Sequence, residues 1–225
     1  MDIPLTESAA RSASGRAFPL HRLGDVALFL VWVVFATANV TGAIGEARTG
    51  DWLAMAHHSI VAAVFLVNAS LFLLRGPAVR RGKELGPLVV ALIGTWAVIP
   101  LSMLSLTWRP GWLLALSTVG MIVAYAFVLW ALLTLRRSFS IFPEARTLVR
   151  HGPYALVRHP LYAAYMLTYV LIALPRVGPW ALLLVIVGIT GELLRARNEE
   201  RILAASFADY AEYAAVTPRF VPRIG

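Results

Sequence analysis

From residue 25 onward, long apolar runs alternate with short polar, Arg-bearing connections. Four runs are plain, at 25–44, 52–74, 87–108 and 112–135. Each has about the 20 residues that a helix rising 1.5 Å per residue needs to cross ~30 Å of hydrocarbon. A fifth run, 161–174, is short. It stops at Pro175-Arg176-Val177-Gly178-Pro179, and a sixth run follows at 180–194. Pro and Gly at that break predict a helical hairpin. Among Trp32, Trp52, Trp96, Trp108 and Trp112, several fall at run ends, where interfacial aromatics belong. The pattern predicts an all-α integral membrane protein. It has five to six transmembrane helices, including the C-terminal hairpin, plus a cytoplasmic exit helix after the last run. Residues 1–22 read as a flexible polar tail and 23–225 as one membrane-embedded domain.

Composition agrees with this reading. The chain is 59% hydrophobic and 14% charged, with mean hydropathy +0.73, too apolar for a soluble domain of this size. The net charge of +8 changes the picture only through its placement. Nineteen of the twenty basic residues are Arg, and most sit in loops, which argues for membrane orientation and against a nucleic-acid partner. Arg11, Arg16 and Arg22 lie in the tail. Arg75, Arg80, Arg81 and Lys83 oppose Glu84 in the second loop, and Arg136, Arg137, Arg146, Arg150 and Arg158 oppose Glu144 in the fourth. The alternate loops hold only Arg48, Arg109 and Arg176, with Glu46 and Asp51. This bias places both termini and the 136–158 loop in the cytoplasm, with a bacterial inner membrane as the expected location. Arg22, the run 26–35 and Ala36-Thr37-Ala38 imitate a secretory signal. The long polar lead and the five runs that follow favour an uncleaved first helix.

Candidate chemistry gathers near the C-terminal end. There is no cysteine, so disulfides, Cys-ligated metals and thiol nucleophiles are excluded. His57-His58 lie at the opposite end of the molecule with no acidic residue near in sequence, and no metal site is predicted. Asn39, Asn68, Thr95 and Ser102 inside the runs are expected to bond to neighbouring helices.

Two stretches stand out. The first is His151-Gly152-Pro153-Tyr154-Ala155-Leu156-Val157-Arg158-His159-Pro160-Leu161-Tyr162. Pro160 suits the first turn of a helix, where its missing N–H is no loss, so Arg158 and His159 stand just before that helix. Tyr162 and Tyr165 fall within its first turns. Counted from Pro160 to Leu174, the helix spans only about 22 Å, so its start is expected to lie recessed as an electropositive pocket. The second stretch runs Arg195-Ala196-Arg197-Asn198-Glu199-Glu200, then Leu203, Phe207, Tyr210, Tyr213, Pro218-Arg219 and Pro222. On a continuous helix Arg195 pairs with Glu199, and Arg197 is placed over Arg201. Glu199, Leu203, Phe207 (or Ser206), Tyr210 and Tyr213 form one stripe, and such a helix covers the cytoplasmic mouth. Taken separately, each stretch has an ordinary reading: a positive-inside anchor with a helix-end His, and an amphipathic interfacial helix.

Taken together they carry more. The joint order of Gly152, Tyr154, Arg158, His159, Pro160 and Tyr162, then Arg195, Glu199, Glu200, Leu203, Phe207, Tyr210, Tyr213 and Pro222, resembles the isoprenylcysteine carboxyl methyltransferase family and its phospholipid N-methyltransferase relatives. The resemblance covers about residues 136–224, the motif-bearing part of a methyltransferase-like domain. Ala155 and Ala208 depart from its usual Arg and Gly. It implies methyl transfer from S-adenosylmethionine to a lipophilic acceptor. The first expectation is the carboxylate of an isoprenoid or prenylcysteine-like compound. A phospholipid or a small thiol are the alternatives, then a nicotinamide-dependent membrane reductase or a non-catalytic membrane protein. It implies cofactor contacts at Tyr154, Arg158, His159, Pro160, Tyr162, Arg197, Glu199 and Glu200, and catalytic roles for Arg195 and Glu200. Either glutamate accepts from the ribose or the amino group, Arg195 or Arg197 pairs with the cofactor's carboxylate, and Glu200 is the first candidate for a base. No Gly-x-Gly occurs anywhere in the chain, so a Rossmann-type cofactor domain is not supported. The expected partners are the acceptor and membrane lipids, the acceptor entering sideways between helices and the cofactor from the cytosol.

Overall fold

The computed structural model describes residues 20–74, 80–81, 85–107, 110–139 and 144–222. Residues 1–19 of the tail, together with Arg75, Lys83, Glu84, Trp108 and Arg109, lie outside the described residues. The helices are α1 (Leu20–Thr49), α2 (Trp52–Leu74), α3 (Leu85–Trp96), α4 (Val98–Met103), α5 (Gly111–Leu135), α6 (Pro153–Leu156), α7 (Pro160–Ala173), α8 (Pro179–Ser206) and α9 (Tyr210–Val216). Five segments are long and apolar enough to cross a membrane: Val26–Thr49, Trp52–Leu74, Leu85–Met103, Gly111–Leu135 and Pro179–Ser206. Leu30, Val34, Leu73, Val123, Leu182 and Ile186 point outward and exposed, as side chains facing lipid tails do. The protein is an all-α integral membrane protein, as its sequence predicts. At 14 residues, α7 is about 21 Å long and shorter than the hydrocarbon layer.

The helices pack side by side. α1 lies on α2, α2 on α5, α5 on α7, and both α7 and α3 on α8. α3 and α8 approach closely. A Cβ added to Gly191 would lie 2.9 Å from the Gly94 Cα, so two glycines let these backbones touch. The Tyr169 hydroxyl donates to the Gly94 carbonyl at 2.7 Å, tying α7 to the same crossing. Ser117 on α5 donates to the Leu171 carbonyl on α7 at 2.7 Å.

Four features differ from the sequence expectation. The run at 87–108 is not one helix: α3 stops at Trp96 and the chain resumes as α4, ending at Met103. Pro100 has no N–H to offer the Trp96 carbonyl, so the ladder breaks one turn earlier. The stripe from Glu199 to Tyr213 is also not one helix. Phe207 is extended at φ −130°, ψ 117°, and α9 folds back so that Tyr210 and Tyr213 are buried. Arg150 holds that turn by pairing with the Asp209 carboxylate and donating to its carbonyl at 3.1 Å. Of the polar residues inside spans, Asn39 bridges helices through His58 Nδ1 at 3.1 Å. Asn68, Thr95 and Ser102 instead donate to carbonyls of their own helices. Finally, an antiparallel two-residue pair, β1 (Arg80–Arg81) with β2 (Glu144–Ala145), joins the loop after α2 to the loop after α5. It lies at the end of the bundle that carries both motifs.

Candidate active site

Local chemistry shapes the 151–162 segment. Gly152 takes φ +60°, and a Cβ there would press on the Thr134 hydroxyl at 3.1 Å, so a residue without a side chain is required. Pro153 and Pro160 open α6 and α7. Between them the extended backbone at 158–159 leaves two N–H groups without helical partners. The C-terminal strap satisfies both: Arg158 N–H donates to the Pro218 carbonyl at 2.8 Å and His159 N–H to that of Arg219 at 3.0 Å. The Tyr213 hydroxyl adds a third tie, donating to the Tyr154 carbonyl at 2.6 Å. Burial pushes the Tyr213 phenol up to about 12 from its ordinary 10.0, with Tyr210 beside it acting in the same direction. Burial, and then the negative charge of Glu199, raises the Tyr154 phenol well above the usual tyrosine range.

His159 is 3% exposed and sits between rings, its centroid 5.4 Å from that of Tyr162 and 5.7 Å from that of Phe220. Its Nε2 is 3.1 Å from Glu200 Oε1 and its Nδ1 is 3.8 Å from Glu199 Oε2. The two adjacent glutamates are therefore read by one imidazole. Beyond it their surroundings diverge, because successive residues of a helix point about 100° apart. Glu200 is held by Arg158 Nη1 at 3.2 Å, by Arg219 Nε at 3.0 Å and by Arg219 Nη2. The hydrogen bond to Glu200 keeps the Arg219 guanidinium above its usual range. Glu199 receives the Tyr162 hydroxyl at 2.7 Å through Oε2, and its Oε1 has no hydrogen-bond partner among the described residues.

The inward face of α8 continues from Glu199 to Arg195 and Glu192, at spacings of four and three. Glu192 is 1% exposed, inside an apolar span. Arg195 Nη1 donates to both its oxygens, at 3.0 and 2.9 Å. The same guanidinium lies 4.8 Å from the Tyr162 ring centroid, a cation–π distance. Arg195 thus turns back to Glu192 and not forward to Glu199 as its i,i+4 spacing suggests. Its Nε, like that of Arg158, is buried with no partner among the described residues.

These groups surround one cavity. Tyr154, Arg158, His159, Pro160, Tyr162, Arg195 and Glu199, all singled out from the sequence, line it. At its far end the walls are Trp32, Phe35, Phe65 and Trp96. Trp32 stacks on Trp96 at 5.3 Å and on Phe65 at 5.4 Å. The Trp32 indole N–H is buried with no partner among the described residues. Glu200 stands behind the cavity wall and faces a more open outer pocket with Arg197, Arg201, Tyr210 and Arg219. Arg197 is exposed, about 200° around the helix from Arg195, and is not brought to the cavity. Sequence reasoning missed Glu192, whose signal was a carboxylate within the run at 180–194. It also missed Arg219 as a site residue, since nothing local links it to Glu200. The aromatic far wall was hidden among spans that read only as hydrophobic. Among the described residues, no three His, Cys, Asp or Glu gather to hold a metal ion.

Comparison with known proteins agrees with the motif end of the fold. The model of the isoprenylcysteine carboxyl methyltransferase (ICMT) family matches residues 114–205, which bears out the resemblance drawn from the two motifs. The chain is 31% identical over 145 residues to the cobalt-zinc-cadmium resistance protein CzcN of Cupriavidus metallidurans, a match covering 59% of this chain and 64% of that protein. It is 30% identical over 121 residues to the nickel-cobalt-cadmium resistance protein NccN of Alcaligenes xylosoxydans xylosoxydans, covering 52% of this chain and 54% of that protein. The chain therefore spans less than two thirds of either relative. The family match supports a membrane methyltransferase, and methyltransferases of that family generally use S-adenosylmethionine.

Proposed function

We propose that this chain, carrying the ICMT-family domain at residues 114–205, is a methyltransferase that moves the methyl group of S-adenosylmethionine to a lipophilic acceptor inside the membrane. The observation that carries this reading is the convergence of the Arg158-His159-Pro160 loop and the Glu199 end of α8 on the mouth of a cavity whose far wall is aromatic. The residues present suit that cofactor. The Arg158 Nε–H, without a partner among the described residues, can bind a carboxylate. Glu199 can accept from an amino group or ribose hydroxyls. When bound, the cofactor supplies an electrophilic methyl group.

The side chains then have three tasks. Arg158 and Glu199 orient the cofactor, and the apolar walls keep water away from the reacting centre, so that positioning supplies most of the acceleration. Glu200, with both oxygens engaged by Arg158, His159 and Arg219, is assigned a positioning role. The base role expected for Glu200 passes to Glu199, whose Oε1 has no hydrogen-bond partner among the described residues. Arg195 faces the acceptor.

We place the protein in a bacterial inner membrane with the motif end in the cytoplasm, following the Arg bias of its loops. The cofactor enters from water and the acceptor from between the helices. The names of the two relatives describe resistance to metals and no reaction, so they leave the acceptor to be chosen by the cavity. The test is calorimetric titration of the detergent-purified protein with S-adenosylmethionine. The wild type is expected to bind in the micromolar range. Glu199→Ala removes a charged acceptor from the cofactor, about 1.5–3 kcal/mol, or roughly 10- to 150-fold in Kd, and His159→Ala, which frees Glu200, is expected to weaken binding in the same direction. A folded wild type that does not bind the cofactor overturns the proposal.

A further inference from the structure

The packing of the helices has two loose ends. α1 lies on α2, α2 on α5, α5 on α7, α7 on α8 and α8 on α3. Among the described residues no comparable backbone packing joins α3 back to α1 or α2. The bundle is therefore an open ring, with a seam between the α1–α2 pair and α3. The chain passes from α2 to α3 at the motif-bearing end, and along the rest of its length the seam meets lipid.

Aromatic side chains close this seam. The Trp32 ring of α1 stacks on the Trp96 ring of α3 at 5.3 Å with 13° between their planes, and Phe35 meets Trp96 at 5.9 Å. The cavity lies directly behind, and all three rings line it. A ring pair contributes through one contact face and parts more readily than the α3–α8 crossing, where Gly94 and Gly191 bring backbones together. Trp96 is also the last residue of α3, beside the break before α4, so its ring stands at an interruption of the helix. Trp32 is 7% exposed, yet its indole N–H has no partner among the described residues. A buried donor without an acceptor disfavours the closed arrangement, and a polar group of a molecule passing between the rings satisfies it.

From this geometry we infer that the seam is the door by which the apolar body of a lipophilic acceptor passes from lipid into the cavity, with Trp32 against Trp96 as its latch. Calling the passenger a methyl acceptor rests on the methyltransferase reading and deepens it by fixing the route. The mouth at Arg158 and Glu199 is polar and suits the cofactor, whereas the seam is apolar and suits a hydrocarbon body. The two ligands come by separate openings, so a bound cofactor does not block the acceptor.

The chain has no native cysteine, so one introduced thiol reports entry. Thr168 on α7, away from the seam helices, is buried and lines the cavity. Its hydroxyl bonds to the Tyr165 carbonyl of its own helix at 2.8 Å, so Thr168→Cys disturbs little. This variant in neutral-lipid nanodiscs is treated with N-dodecylmaleimide, which dissolves in the bilayer. In parallel it meets a trimethylammonium methanethiosulfonate, which comes from water by the mouth. Labelling rates are read by mass spectrometry. Adding Trp32→Ala is expected to speed the dodecyl reagent roughly tenfold, near the upper end of what an aromatic pair contributes. The rate of the charged reagent is expected not to change. Trp96→Ala, which keeps Trp32, is expected to act alike and supplies the reading if Trp32→Ala does not fold. A dodecyl rate left unchanged by removal of the latch overturns the inference. Equal acceleration of both reagents overturns it too, because the cavity has then loosened as a whole. Titration of the same samples with S-adenosylmethionine separates the two failures. Absence of cofactor binding sinks the methyltransferase reading, whereas cofactor binding with a latch-independent dodecyl rate sinks only this inference.

Discussion

Glu199 and Glu200 are neighbours in sequence with opposite situations. Glu200 is saturated by Arg158, His159 and Arg219, while Glu199 meets the cavity. Glu200→Gln is expected to destabilise the protein by about 1–3 kcal/mol, because Arg158 and His159 lose a charged partner. Thermal melts in detergent would show this together with weakened cofactor binding. Arg197→Ala changes an exposed residue on the far side of α8, so cofactor affinity is expected to stay within about twofold. A larger loss in the same titration would bring Arg197 back to the site. At Tyr213 the sign of the pH dependence is fixed by burial. Below pH 10 folded and unfolded chains both keep the phenolic proton. Between 10 and about 12 only the unfolded chain releases it, so stability falls with rising pH in that window. Tyr213→Phe is expected to cost about 1 kcal/mol through the lost hydrogen bond to Tyr154 and to flatten the decline, as melting curves at pH 8 and pH 11 would reveal. At this scale the sequence was legible where a motif concentrated the chemistry, as at Arg158, His159 and Glu199. It was not legible where partners meet across distance. Arg219 reaches Glu200 over nineteen residues, and Glu192 claims the arginine that local spacing assigns to Glu199.

The helices themselves were readable because crossing hydrocarbon demands length and apolarity, both visible in a linear chain. Their interruptions were not. Pro100 was present to be read, yet its effect depends on whether neighbours tolerate a broken turn. The bend at Phe207 exists because Arg150, far away in sequence, seizes Asp209, and because α9 gains burial for two tyrosines. The α3–α8 crossing rests on Gly94 and Gly191, and it sets the depth at which Arg195 lies. Gly191→Ala drives a methyl against backbone at 2.9 Å and is expected to lower stability by about 1–3 kcal/mol. A variant as stable as the wild type in the same melts would mean that these helices separate without cost.

As a whole the molecule divides into a motif-bearing end and an aromatic-walled end. The strap, the 151–162 loop and the last turns of α8 form the first, while α1, α2 and α3 form the aromatic wall of the second. The absence of native cysteine makes the orientation directly measurable. Arg197→Cys is expected to react with a membrane-impermeant maleimide only from the cytoplasmic side, and Gly50→Cys only from the other. Labelling of both from one side would refute this orientation.

The strap at 217–220 has a consequence for biogenesis. It supplies the carbonyls that hold the 158–159 backbone, the ring that covers His159 and the guanidinium that locks Glu200. Yet it is synthesised after every part it fastens. While the ribosome is still adding these residues, the helices can already be inserted and packed, but the mouth stays unfastened. On the proposed function, competence to bind the cofactor is expected to arrive only once the strap has closed, and a chain truncated before the strap is expected not to bind it.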